Sequence, residues 1–346
     1  MKGLIAGILC LLALSLINSP GWAQAVHGGT LELRPEVETF VVEVSERHGF
    51  DANALRRVMA KARTQNSILQ AMARPSTSRP WYEYRPVYVN PQRVAAGLRF
   101  WEENSGVISR ASRRYGVPEE IIVATLGVET SYGRNTGKFR VLDALYTLAF
   151  EWPPRAEFFR SELEQFLLLA REQGIDPTKP RGSYAGAMGI AQFMPSSYRK
   201  YAVDFDGSGR PDLSRNADAI ASVANYMNAF GWESNGLIAL PAAASGERIG
   251  EFVDLGWKPA VSVAALADAG IRPRAAVPGE TEAAVLRLEG ENGPLYFLGF
   301  NNFYVITRYN RSVNYAMSLF DLAEALAAAR AADAGLAEVN LRKNRQ

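Results

Sequence analysis

The chain has 346 residues, 48% hydrophobic and 21% charged, enough for a sizeable core and two or three sub-domains. Thirty-eight Lys and Arg stand against 36 Asp and Glu, a net charge of +2 with no dense basic block, which argues against a nucleic-acid binder. One cysteine and two histidines argue against disulfides, Cys-based zinc and histidine catalysis, leaving mostly carboxylates for acid–base chemistry.

Residues 1–25 read as an export signal. Lys2 supplies the basic start, and the apolar run at 4–17 is shorter than the roughly 20 residues that span a bilayer. Pro20-Gly21 breaks the run, and Ala23-Gln24-Ala25 matches a cleavage pattern. Cleavage would leave a mature chain expected to have no transmembrane span; an uncleaved membrane anchor is the alternative. Cys10 lies inside the apolar run behind Leu9, which argues against acylation. His27 and His48 have no nucleophile motif around them.

Helices are predicted at 35–48, opened by Pro35 and stopped by Gly49, and at 52–63, capped by Asp51 with Leu55, Val58 and Met59 as its apolar stripe. Four prolines and the aromatics Trp81, Tyr82, Tyr84 and Tyr88 make 74–91 an extended segment whose aromatics pack more often than they bind. Asn90-Pro91 opens a helix that buries Val94, Leu98, Trp101 and Ile108. Pro118-Glu119-Glu120 opens the next, its acids placed where the helix dipole favours them. Helical patterns continue at 141–150, 156–172 and 216–230. After 232 the texture changes: 270–280 is rich in Pro, Gly and Arg, and β-like runs occupy 284–288, 295–300 and 304–309. An Ala-rich helix at 318–332 and a polar tail follow. There is no internal repeat. The expected fold is mainly α, with a small β insert.

Within the helix at 119–130, Glu129 stands three residues beyond Leu126 and four beyond Thr125, on or beside the apolar stripe. Desolvation there raises a carboxyl pKa and suits a general acid. Gly127 leaves room for another backbone, and Thr130-Ser131-Tyr132-Gly133 ends the helix. A solvent-facing Glu129, or one paired with Lys138 or Arg134, is the alternative. The stretch "GSYAGAMGIAQFMPSSY" (182–198) offers Ser183 and Gln192 on a loop where Gly186 and Gly189 permit close approach. "TRYNRSVNY" (307–315) clusters Tyr309, Asn310 and Tyr315, polar tips on aromatic bodies that suit sugars.

"VETSYGRNTGKFRVLDALYTLAF" (128–150), "RAEFF" (155–159), "GSYAGAMGIAQFMPSSYRKYAVDFDGSG" (182–209), "DAIASVANYMNAFGW" (218–232) and "VITRYNRSVNYAM" (305–317) together resemble the lytic murein transglycosylase B family, in the family's order and over about half the mature chain. "YEYRPVYV" (82–89) is also similar. The resemblance implies a core like goose-type lysozyme with a helical flanking domain and a small β domain. The expected division is 26–90 for the N-terminal helical segment and linker, 91–232 for the core with a helical insert at about 134–180, 233–300 for the β domain, 301–332 for the return to the core, and 333–346 for the tail.

The same resemblance implies roles. Glu129 matches the single catalytic acid. Ser183 and Gln192 match polar residues of the site, Phe193, Tyr226, Tyr309 and Tyr315 its aromatic walls, Asn310 an amide beside the reacting sugar, and Tyr84 a further groove residue. It implies a periplasmic enzyme that cuts peptidoglycan glycan strands without water, leaving 1,6-anhydromuramyl ends, with penicillin-binding proteins as partners. A hydrolytic muramidase is the rival enzyme and needs a second acid, for which Asp143 and Glu151 are candidates. A non-catalytic glycan-binding scaffold is the rival from another class.

"DFDGSGRPDLSR" (204–215) resembles an EF-hand loop, with Asp204, Asp206 and Ser208 at positions 1, 3 and 5, the Arg210 carbonyl at 7, and Gly209 at the sharp turn. Some family members hold calcium there. Arg215 stands where position 12 needs an acid; Asp218 could compensate from the following helix, although its spacing is wrong for the standard loop. An Asx-rich structural turn, with Asn216 and Asp218 as helix-start residues, is the competing expectation. Any calcium would be structural, since the chemistry requires no cofactor.

Overall fold

The computed structural model describes residues 32–73 and 79–343, with side chains to residue 333. The expected export signal with Cys10, His27, part of the Pro-rich segment and the end of the expected tail lie outside the described residues. Among the described residues no helix is long and apolar enough to cross a membrane.

Helix α1 (Pro35–His48) starts on Pro35 and ends at Gly49, whose φ of 64° lets its N–H close on the Ser45 carbonyl. Helix α2 (Ala52–Met59) is capped by the Asp51 carboxylate on the Ala54 N–H. It stops four residues short of the expected 63, and α3 (Asn66–Met72) follows.

The segment expected to be extended contains a helix, α4 (Trp81–Tyr88). Pro80 stands just before it, where its missing N–H costs nothing, and its carbonyl accepts the Glu83 and Tyr84 N–H groups. Trp81 and Tyr84, three apart, are buried in the main core, while Tyr82 is exposed. Burial of this aromatic pair overrides the proline signal, including Pro86 inside the helix.

The single helix expected from Pro91 through Ile108 is two, α5 (Pro91–Glu103) and α6 (Ser105–Tyr115), broken at Asn104. The Asn104 amide donates to the Phe100 carbonyl at the break. Gly97, Phe100 and Trp101 take the core side, leaving Val94 and Leu98 half-buried and not buried as expected.

Helix α7 (Glu119–Thr130) is buried without interruption from Ile121 to Val128. Strand β1 (Phe139–Arg140), α8 (Val141–Glu151), α9 (Ala156–Glu172) and β2 (Arg181–Gly182) follow, β1 pairing antiparallel with β2. Helix α10 (Pro195–Tyr201) is tied to α9 by buried Glu162, which accepts from the Ser196 N–H and hydroxyl. Helix α11 (Asn216–Ala229) closes this part of the core.

Strand β3 (Ala239–Ala244), α12 (Ile249–Asp254), β4 (Val261–Ser262), α13 (Val263–Asp268), β5 (Ile271–Pro273), β6 (Glu282–Gly290) and β7 (Gly293–Gly299) build an antiparallel sheet in the order β4-β6-β7-β3-β5. Both faces of β6 are buried. Ala284, Leu286 and Leu288 join the main core, and the alternating Ala283 and Val285 join a small second core with Leu266, Ile271 and Leu298.

The run 304–309, expected as a strand, lies in helix α14 (Asn301–Tyr309). Buried Asn302 fixes its start, accepting from the Glu233 N–H and donating to the Glu233 and Gly236 carbonyls. Phe303, Val305 and Ile306 are then driven into the core, and tertiary burial outweighs their β preference. Helix α15 (Val313–Lys343) starts before the expected 318 and runs on through most of the expected tail.

Candidate active site

Glu129 sits in the last turn of α7, half-buried. The helix ends on two left-handed residues, Ser131 (φ 51°) and Tyr132 (φ 62°), whose N–H groups close on the Gly127 and Leu126 carbonyls. This reversal folds Tyr132 back along α7. Its ring stacks on Phe100 at 5.5 Å and its hydroxyl donates to the Arg93 carbonyl. The space beside Gly127 is therefore filled by the Tyr132 side chain, where the sequence suggested another backbone; a Cβ there would strike the ring. Arg93 completes the clamp by donating to the Gly127 carbonyl.

Buried Thr130 joins the acid's helix to the loop at 182–193. Its hydroxyl donates to the Ile190 carbonyl at 2.9 Å and accepts from the Gly133 N–H. From the sequence Thr130 and Tyr132 were read only as part of the stretch that ends the helix, and Arg93 was not singled out.

The Tyr315 hydroxyl, in the first turn of α15, donates to Glu129 Oε1 at 2.5 Å. Among the described residues neither Lys138 nor Arg134 pairs with Glu129. Desolvation pushes the Glu129 carboxyl up to about 7, and the Tyr315 hydrogen bond opposes part of that rise. The carboxyl therefore holds a proton near neutrality and can also release it.

Behind the acid the expected aromatic residues gather. Phe193 lies 5.4 Å from Tyr226 and 5.7 Å from Tyr309, and Tyr226 lies 4.9 Å from Tyr309. The Tyr309 hydroxyl donates to the Ala191 carbonyl and the Tyr226 hydroxyl to the Arg308 carbonyl. Tyr84 completes the group. Burial keeps the phenols of Tyr84, Tyr226, Tyr309 and Tyr315 protonated, reinforced next by Tyr88 for Tyr84, by Tyr201 for Tyr226 and by the Glu129 charge for Tyr309 and Tyr315. Tyr84, Phe193, Tyr226 and Tyr315 are 2–7% exposed, so they back the acid more than they wall an open groove; Tyr309 is half-buried.

The polar candidates divide. Ser183 accepts the Ala185 and Ala187 N–H groups and so shapes its own loop, keeping its proton to donate. Gln192, at φ 51°, donates its amide to the Thr136 and Gly189 carbonyls, leaving its Oε1 free to accept. Asn310 follows the end of α14, exposed, and its side chain makes no hydrogen bond among the described residues.

The two candidate second acids are engaged elsewhere. Asp143 is buried, paired with Arg140, and accepts from the Arg63 N–H and the Gln65 amide. Glu151 pairs with Arg34 at 2.8 Å.

In the acidic loop, carboxylate oxygens of Asp204, Asp206 and Asp218 lie within 4.8 Å of one another. The Ser208 hydroxyl is 3.2 Å from the Arg210 carbonyl. Asp218, weighed as a substitute ligand from the following helix and as a helix-start residue, turns into the loop, accepting from the Phe205, Asp206 and Asp212 N–H groups. Arg215 lies 3.0 Å from Asp206 at the loop's edge. Carboxylate, hydroxyl and carbonyl oxygens together are a hard donor set of the kind calcium takes.

The model of a family described as "Transglycosylase SLT domain" matches residues 32–324. The membrane-bound lytic murein transglycosylase B of Escherichia coli (strain K12) is 43% identical over 313 residues, 88% of this chain and 86% of that protein. The soluble lytic transglycosylase SltB1 of Pseudomonas aeruginosa superposes with a TM-score of 0.80 at 45% identity, over 86% of this chain and 100% of that one. The Escherichia coli lytic transglycosylase SLT35, solved in complex with calcium, gives 0.79 at 42% identity, over 88% and 96%. SltB3 of Pseudomonas aeruginosa, solved in complex with NAG-anhNAM-pentapeptide, gives 0.73 at 29% identity, over 84% and 78%.

Proposed function

The chain belongs to the transglycosylase SLT domain family and is a lytic transglycosylase of peptidoglycan with a lysozyme-like fold, and from that premise we propose that Glu129 is its single acid–base group. The observation that carries this reading is a carboxyl in an aromatic enclosure, held near pKa 7 by desolvation and gripped by Tyr315.

Protonated Glu129 gives its proton to the oxygen between N-acetylmuramic acid and N-acetylglucosamine, and the C1–O bond breaks. The acetamido oxygen of the muramyl sugar stabilises the positive charge at C1, the role a second carboxylate plays in most glycosidases. Ionised Glu129 then takes the proton of the muramyl C6 hydroxyl, whose oxygen bonds to C1. The products are a 1,6-anhydromuramyl end and a free N-acetylglucosamine end. Glu129 recovers its proton and no water is consumed. Asn310, the Ser183 hydroxyl and Gln192 Oε1 would hold the acetamido group for attack, worth several kcal/mol when geometry is right. Tyr309 and the aromatics behind it would back the sugar.

A hydrolytic muramidase is disfavoured, because Asp143 and Glu151 are committed to Arg140 and Arg34. A passive scaffold has no use for a carboxyl of raised pKa. Digesting purified peptidoglycan and weighing the fragments tests the reading: ends one water lighter are expected, and Glu129→Gln should bind strands while releasing no product. Cleavage by that variant, or fragments of hydrolytic mass, would overturn it.

The division into a core at 91–232 and 301–332, with its insert at 134–180 and a β domain at 233–300, is part of this proposal. So are residence in the periplasm, which the leader-like pattern at 1–25 supports, and work beside penicillin-binding proteins. Calcium at Asp204, Asp206, Ser208, the Arg210 carbonyl and Asp218 would brace the loop and supply no chemistry.

A further inference from the structure

Strands β1 and β2 form the wall of a recess of about 540 Å³, lined by Arg63, Gln65, Lys138, Arg140, Asp143 and Arg181. Four cations face one carboxylate, and that carboxylate is spent. Asp143 is buried and bidentate to Arg140, at 2.6 and 2.8 Å, and also accepts the Arg63 N–H. Among the described residues Arg63, Lys138 and Arg181 have no carboxylate within 4 Å. All three are exposed. Arg181 donates to the Lys138 backbone carbonyl at 2.7 Å, which ties the Arg181 guanidinium to β1's side of the recess that both residues line.

The recess adjoins the proposed cutting site through the backbone. Phe139 faces Gly182 and Arg140 faces Arg181 across the β1–β2 pair, and Ser183 follows at once. The Gln192 amide reaches the Thr136 carbonyl two residues before Lys138. Thus the loop that offers Ser183 and Gln192 to the sugar presents this cationic rim on its other flank.

A strand stripped of its peptides by an amidase carries a single carboxylate on each muramyl lactyl group. The peptide attached there replaces it with several carboxylates on a flexible arm. We propose that the Arg63–Lys138–Arg181 recess is a subsite for the carboxylates of the stem peptide, which favours peptide-bearing strands over naked ones. The inference rests on the lytic transglycosylase reading of Glu129. Guanidinium forks and an ammonium on an exposed rim match carboxylates that arrive on a flexible peptide.

The test compares strands that carry peptides with the same strands stripped of them by an amidase, for the full-length enzyme and for Arg63→Gln/Lys138→Gln, two side chains that no ion pair uses. The wild type is expected to show a lower KM on peptide-bearing strands, rising with salt. In the double variant that KM advantage should shrink about tenfold with kcat held, and Arg63→Lys/Lys138→Arg should retain it. No wild-type preference, a preference that survives the double variant, or an equal loss on both substrates would overturn the subsite. Failure of the wild type to form anhydro ends on either substrate would instead overturn the Glu129 reading.

Discussion

Under the proposed role of Glu129, one proton couples rate and stability. Its folded pKa of about 7 lies above the 4.5 of an unperturbed glutamate. Below pH 4.5 both folded and unfolded chains hold the proton. Between 4.5 and 7 only the folded chain does, so stability falls as pH rises through that window and is level above it. Glu129→Gln removes this penalty. Its melting temperature should exceed the wild type's at pH 8, by a difference worth roughly 1–3 kcal/mol, and match it near pH 4.5. Equal melting at both would mean that the carboxyl is not desolvated. In turnover the acid step needs the proton, so kcat/KM should fall about tenfold per pH unit above 7. Tyr315→Phe deletes a hydrogen bond that favours the charged form. The alkaline limb should then move to higher pH and turnover drop roughly 10- to 100-fold, the worth of a hydrogen bond to a charged group. A limb that stays in place would remove Tyr315 from the acid's control.

Elements with paired start and stop signals were readable in advance. Pro35 and Gly49 bound α1, and Asp51 caps α2 as its position suggests. For Glu129 the helical period placed the residue on or beside the apolar stripe but left a solvent-facing or ion-paired side chain open; the hydrogen bond from Tyr315, 186 residues away, lies beyond any local reading. The misreadings share one cause. The prolines of α4 and the β-branched pair in α14 give local signals that distant burial overrules, and a local reading does not contain that burial. The fold-back of Tyr132 depends on the empty space at Gly127 and Gly97, which exists only once α5 and α7 are packed. The acidic loop was half legible: Asp204, Asp206 and Ser208 follow the short-range pattern, whereas Asp218 enters from a helix outside it. The loop's test is thermal. Calcium should raise the melting temperature and a chelator reverse it, by RT ln(1 + [Ca]/Kd), and Asp204→Asn should blunt the response. No shift in millimolar calcium would leave the loop a self-braced turn.

Strand β6 contributes side chains to both cores, so the two are expected to unfold in a single transition. Leu286 is buried in the main core, whereas Leu266 is buried in the small one beyond the sheet. Leu286→Ala should lower the single unfolding transition by about 2–4 kcal/mol in a urea titration, taking the site with it. A separate early transition confined to the sheet would show that the two cores are independent. The pairing of Tyr315 with Glu129 spans 186 residues of chain. A wall-cutting enzyme is dangerous to the cell that makes it. A polypeptide that stops before α15 carries Glu129 without the tyrosine that grips it or the helix that supports it. Fragments of that kind, left by interrupted synthesis or by proteolysis, are expected to release no product from purified peptidoglycan.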